Sequence, residues 1–150
     1  KKMKLTNGKI LLYTGIAHFL LGISPFAFGK QFLEFANKLF FKISEGLFEF
    51  PLLNGQMNYE NFAAFWFVYF GLLLIPIGFL VHHIEKTTGN IPSKFIWSYL
   101  IIVIIGVYMI PFSGMTFLML PHAIYMTIQK HKQRKNTNAQ QSIKNMASSF

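Results

Sequence analysis

Apolar residues run along this chain in four long stretches with short polar breaks between them. The first covers about residues 10–28 and carries no charge except a possible one on His18. The second, 62–81, carries no charge at all. The third covers about 95–110, and the fourth, about 113–129, contains Pro121. A helix rises 1.5 Å per residue and a bilayer's hydrocarbon is roughly 30 Å thick, so about 20 apolar residues make one span. We therefore expect an all-α protein: a four-transmembrane-helix bundle in residues 1–130, with residues 131–150 as a basic polar cytoplasmic tail, mobile past 135. Pro111 ends the third helix and Ser113 is placed to cap the fourth. Gly89 is placed to end the second, and Pro92-Ser93 to begin the third.

Residues 30–50 follow another pattern. At 100° per residue, Phe32, Leu33, Phe35, Ala36, Leu39, Phe40, Ile43, Leu47 and Phe50 share one arc. Lys30, Gln31, Glu34, Asn37, Lys38, Lys42, Glu45 and Glu49 share the opposite one, and only Phe41 and Phe48 stray. This predicts an external amphipathic helix at the interface, stopped by Pro51, acting either as a connector or as a lid bending near Gly46. Asn54-Gly55 then signals a turn.

Composition agrees with lipid. Hydrophobic residues make up 53% of the 150 and charged residues 13%, against about 25% charged in a soluble domain. There is no Cys, which excludes disulfides, thiolate metal sites and Cys nucleophiles. The net charge of +9 sorts by loop. All but three of the 14 basic residues lie in the N-terminal segment, the 82–94 loop and the tail. The exceptions, Lys30, Lys38 and Lys42, share their segment with Glu34, Glu45, Glu49 and Glu60. By the positive-inside rule both termini face the cytoplasm, and the basic charge reports topology, with no nucleic-acid partner. Phe62, Phe65 and Trp66 fit an outer aromatic belt; Tyr13, Trp97, Tyr99 and Tyr125 fit an inner one. The basic start and the Ala27-Phe28-Gly29 site resemble a signal peptide, but the run exceeds a usual h-region, so we expect a retained first span. Abundant Lys, Asn, Ile and Phe suggest an AT-rich bacterial genome and hence the bacterial inner membrane.

Ionisable residues inside a span are costly and mark candidate sites. His18 and His122 qualify, at similar expected depth. Three roles suit them: a structural imidazole, a ligand or proton-transfer group in an apolar pocket, or axial ligation of a b-type haem. No other cofactor and no other metal is expected. Pro121 and Pro76 free the carbonyls of Phe117 and Leu72, which adds polarity to the spans. A ligand pocket would draw on Tyr13, Thr14, His18, Trp66, Tyr69, Tyr108 and His122. Glu60, beside the second span, is either an N-terminal dipole partner or an acid/base group at a pocket mouth. His82 and His83 diverge by 100° on a helix, so we read them as a cationic helix end and not as a metal pair. No P-loop, GxGxxG, HExxH or GxSxG occurs.

The motifs Gly15-x-x-His18-x-x-x-Gly22, Ala63-Ala64-Phe65-Trp66-Phe67, Gly71-Leu-Leu-Leu-Ile-Pro-Ile-Gly78, Thr88-Gly89-x-x-Pro92 and Pro111-Phe112-Ser113-Gly114 resemble an uncharacterised bacterial family of small four-helix membrane proteins. More distantly they are similar to the DoxX-like group. The resemblance covers about residues 5–130; it implies the fold and carries no catalytic assignment. The expected function is non-enzymatic: binding a lipid or apolar small molecule between helices, or serving as an accessory membrane subunit. Its partners would be membrane lipids, a second copy of itself or a larger membrane complex. The alternatives are an intramembrane enzyme or b-type haem protein using His18 and His122, and a secondary transporter that would need dimerisation.

Overall fold

In a computed structural model of the protein, the structure describes residues 5–39, 52–53, 56–57 and 59–147. These form five helices: α1 (Asn7–Ile23), α2 (Gly29–Leu39), α3 (Tyr59–Thr88), α4 (Ser93–Met109) and α5 (Gly114–Ala147). Between α2 and α3, β1 (Leu52–Leu53) pairs antiparallel with β2 (Gln56–Met57), with Leu52 opposite Met57 and Leu53 opposite Gln56. The sequence pattern does not predict this short ladder. Asn54-Gly55 lies outside the described residues, as does the expected amphipathic helix beyond Leu39, with Phe41, Gly46, Phe48 and Pro51.

The breaks between helices have local causes. Gly89 takes φ +68, open to glycine without a Cβ penalty, and its N–H donates to the Glu85 carbonyl at 3.1 Å, closing α3. Ser113 caps α5: its hydroxyl accepts from the Thr116 N–H at 3.1 Å. Pro76 and Pro121 sit inside α3 and α5, which continue through them. Helix α5 also runs on through the polar tail to Ala147, past the end of the expected fourth span near 129. Nothing between His122 and Ala147 is Gly or Pro, and Gln, Lys, Arg and Ala are good helix formers.

The chain divides into two compact units, Gly8–Leu80 and Lys1–Asn7 with Val81–Phe150. In the first, α1 and α3 run antiparallel at backbone contact. A Cβ on Gly15 would lie 2.8 Å from the Leu74 Cβ and 2.9 Å from the Gly71 oxygen. One on Gly71 would lie 2.7 Å from the Phe19 nitrogen, and one on Gly78 2.5 Å from the Leu12 nitrogen. Gly8, Gly15 and Gly22 are spaced by sevens, and so are Ala64, Gly71 and Gly78. A strict seven-residue small stripe keeps one seam facing its partner. The other buried residues of α1 within this unit, Leu11 and His18, fall on the same seam.

In the second unit α4 packs on α5. The buried positions Ile96, Tyr99 and Val103, and Met119, His122 and Met126, repeat at three and four residues with large side chains, and Ala123 is buried beside them.

Among the described residues, one helical segment, Phe62–Thr88 in α3, is long and apolar enough to cross a membrane; α4 is a shorter apolar helix. The four-span bundle is thus an expectation that the structure meets in part: the helices are present, with one clear span.

Candidate functional site

Within Gly8–Leu80, the seam glycines make room for a buried imidazole. His18 is 6% exposed. Its ring stacks on Phe67 at 3.9 Å between centroids, tilted 27°, and Phe70 meets it edge-on at 5.6 Å. Phe28 lies 5.0 Å from Phe67. A Cβ on Gly22 would come within 2.9 Å of the Phe67 ring, so glycine at 22 is what lets Phe67 lie over His18. The His18 Nε2 is buried, with no hydrogen-bond partner among the described residues.

The second buried imidazole belongs to the other unit. His122 is also 6% exposed. Its Nδ1 lies 3.2 Å from the Tyr99 hydroxyl, and Phe95 stacks parallel on Tyr99 at 6.1 Å. Its Nε2, too, is buried without a partner. Which ring nitrogen carries the proton follows from the hydrogen bond the other makes. Sequence reading assigned Tyr99 to the inner aromatic belt beside Trp97. Two residues apart on a helix means 200°, so Trp97 faces out, 56% exposed, while Tyr99 turns in to His122.

The remaining predicted residues lie elsewhere. Tyr13, Trp66, Tyr69 and Tyr108 are exposed, Tyr108 at 89%; Thr14 is half-buried. Glu60 occupies the first turn of α3 and accepts from the Gln31 amide of α2 at 3.4 Å. That suits the dipole-partner role, since an acid in the first turn faces the positive helix end. Phe65 and Tyr69 stack at 5.4 Å, and Trp66 meets both edge-on. His82 bonds through Nδ1 to the Thr6 hydroxyl at 2.7 Å. Among the described residues no group of three or more His, Cys, Asp or Glu gathers.

A third constellation joins residues that the hydrophobic pattern does not single out. The Glu85 Oε1 accepts from both the backbone N–H and the side-chain amide of Asn7, at 3.1 and 2.6 Å. The same amide also donates to Gln129 Oε1 at 3.0 Å. The first N–H of α1 has no partner within its own helix, so a carboxylate from α3 satisfies it and meets the positive helix end. Nearby, the Lys130 ammonium donates to Asn90 Oδ1 at 2.7 Å and to the Ile91 carbonyl at 2.9 Å. A recess of about 20 Å³ lies among Asn7, Glu85, Asn90, Gln129 and Lys130. The signal was in the chain: Glu85 is the only acidic residue after Glu60.

The family of unknown function DUF6463 matches residues 2–133. The chain belongs to that family. No curated protein and no solved structure matches it. DUF6463 spans all five helices up to the first turns of the polar end of α5, and with it both buried imidazoles and the Asn7 constellation.

Proposed function

We propose that this DUF6463 member is a four-span protein of the bacterial inner membrane, both termini cytoplasmic, that binds lipid or another apolar small molecule or serves as an accessory membrane subunit. The observation that carries this reading is the exposure of α3: only a third of its apolar window is buried. The core helix of a soluble protein would be mostly covered. Leu72, Leu73, Ile77, Phe79 and Leu80 stand open instead, as do Ile101, Ile102, Ile104 and Ile105 on α4. Apolar area on this scale needs lipid or a partner to cover it. Chemistry points the same way, because apolar and aromatic side chains dominate and reactive clusters do not. The distant DoxX-like resemblance agrees with the membrane reading. Membrane fractions washed with alkaline carbonate should retain the chain, and mass spectrometry of the purified protein should find a co-purifying lipid or apolar molecule. Release into the soluble wash would overturn the reading.

One observation favours a second reading, an intramembrane enzyme or b-type haem protein. Two buried imidazoles each present an Nε2 without a partner among the described residues, and such nitrogens suit an acid, base or ligand role. In the haem version, purified protein would show a Soret band that His122→Ala removes. Absence of the band in protein expressed with haem supply would end that version.

A further inference from the structure

The Asn7 amide donates to Glu85 Oε1 and Gln129 Oε1, which fixes its orientation, since a flipped amide would set oxygen against two acceptors. Its Oδ1 is therefore an acceptor, and it is buried with no donor among the described residues, on a residue only 5% exposed. Asn7 lines the recess of about 20 Å³, room for one water-sized group. A group there that reaches Asn7 Oδ1 must donate a hydrogen bond.

Charge narrows its identity. Glu85 and Lys130 both line the recess. Lys130 gives two of its three N–H donors to Asn90 and Ile91, leaving one for an anion. A group that is cationic at the Asn7–Glu85 side and anionic at the Lys130 side complements both. The recess also lies where α5 passes from buried Met126 to Lys130, and is lined by Ile96, whose neighbour in sequence is exposed Trp97, the residue pattern of a headgroup level.

We propose that this recess receives the primary ammonium of a phosphoethanolamine group, hydrogen-bonded to Asn7 Oδ1 beside Glu85, with its phosphate on Lys130. The inference rests on the lipid-binding reading and names the headgroup. An ammonium fills the space of one water and supplies the missing donor. A trimethylated ammonium has no N–H and is too large.

The test offers the detergent-purified full chain equal amounts of phosphatidylethanolamine, its N,N-dimethyl form, phosphatidylcholine and phosphatidylglycerol of matched acyl chains, read by native mass spectrometry. Phosphatidylethanolamine should be retained about tenfold over phosphatidylcholine and phosphatidylglycerol, the dimethyl form falling between, as expected for one charge-assisted hydrogen bond. Because the lipid is varied and not the protein, a variant's misfolding cannot produce this order. Asn7→Ser should then level the preference while total bound lipid persists. Soluble phosphoethanolamine that displaces the lipid would support the ammonium site with a free amine as its source; failure to displace it would support the lipid. Equal retention of all four lipids means that the recess holds only water, and this inference falls while the lipid-binding reading stands. Retention of no lipid overturns both.

Discussion

Along α1 and α3 the backbones touch at glycines; the seam of α4 and α5 is lined mostly by larger side chains. In the first pair, glycines at 15, 71 and 78 leave no room for even a methyl group. In the second, Ile96, Tyr99, Val103, Met119 and Met126 fill the seam, while a Cβ on Gly106 would meet nothing within 4 Å. Each seam nonetheless buries one imidazole, His18 in the first and His122 in the second. The difference lies in what the imidazole meets. In the glycine seam His18 has aromatic faces. In the side-chain seam His122 has a hydroxyl. The glycine seam surrounds its imidazole with rings, whereas the side-chain seam supplies a tyrosine hydroxyl as partner.

This contrast can be broken most strongly at Gly78. Gly78→Val places atoms where the Leu12 backbone stands, and a backbone cannot swing aside as a side chain can. We expect a loss of about 3 kcal/mol or more, read as early unfolding in a detergent-to-SDS titration followed by circular dichroism. Tolerance of valine there would show that the glycine contact is not the basis of the first pair.

The imidazole of the second pair gives a smaller effect with a sharper signature. Tyr99→Phe should cost about 1–3 kcal/mol by leaving the His122 Nδ1 without its partner. His122→Leu on its own should cost a similar amount by stranding the Tyr99 hydroxyl. The double variant should recover most of the loss, because removing both partners leaves no buried polar group unsatisfied. Additive losses in the same titration would mean that the 3.2 Å contact contributes nothing.

The smallest expected change is a gain. Gly106→Ala adds a methyl group where space is open and should stabilise α4 by up to about 1 kcal/mol. Gly15→Ala in the first pair should do the reverse, and the opposite signs of these two alanines test the comparison most economically.

Much of this was legible in one dimension. Heptad spacing of Gly8, Gly15 and Gly22, and of Ala64, Gly71 and Gly78, already marks two faces able to approach closely. Helix ends followed from Gly89, Pro92, Pro111 and Ser113, whose effects act through their own backbone. His18 and His122 stood out because an imidazole in an apolar run is conspicuous wherever it packs. Tyr99 did not stand out, because an aromatic residue near a helix end suits a lipid interface as well as a core. The ladder of β1 and β2 was hidden, since two residues per strand carry no period.

What the sequence determined by itself is therefore the set of helices, their breaks and which faces are apolar, all properties of neighbours within a few residues. Tertiary structure alone decided the polar pairings. Asn7 meets Glu85 across 78 positions and Gln129 across 122, and Tyr99 meets His122 across 23. A buried donor must find its acceptor within about 3 Å. That match depends on how whole helices are rotated about their axes, which local periodicity constrains only to a face.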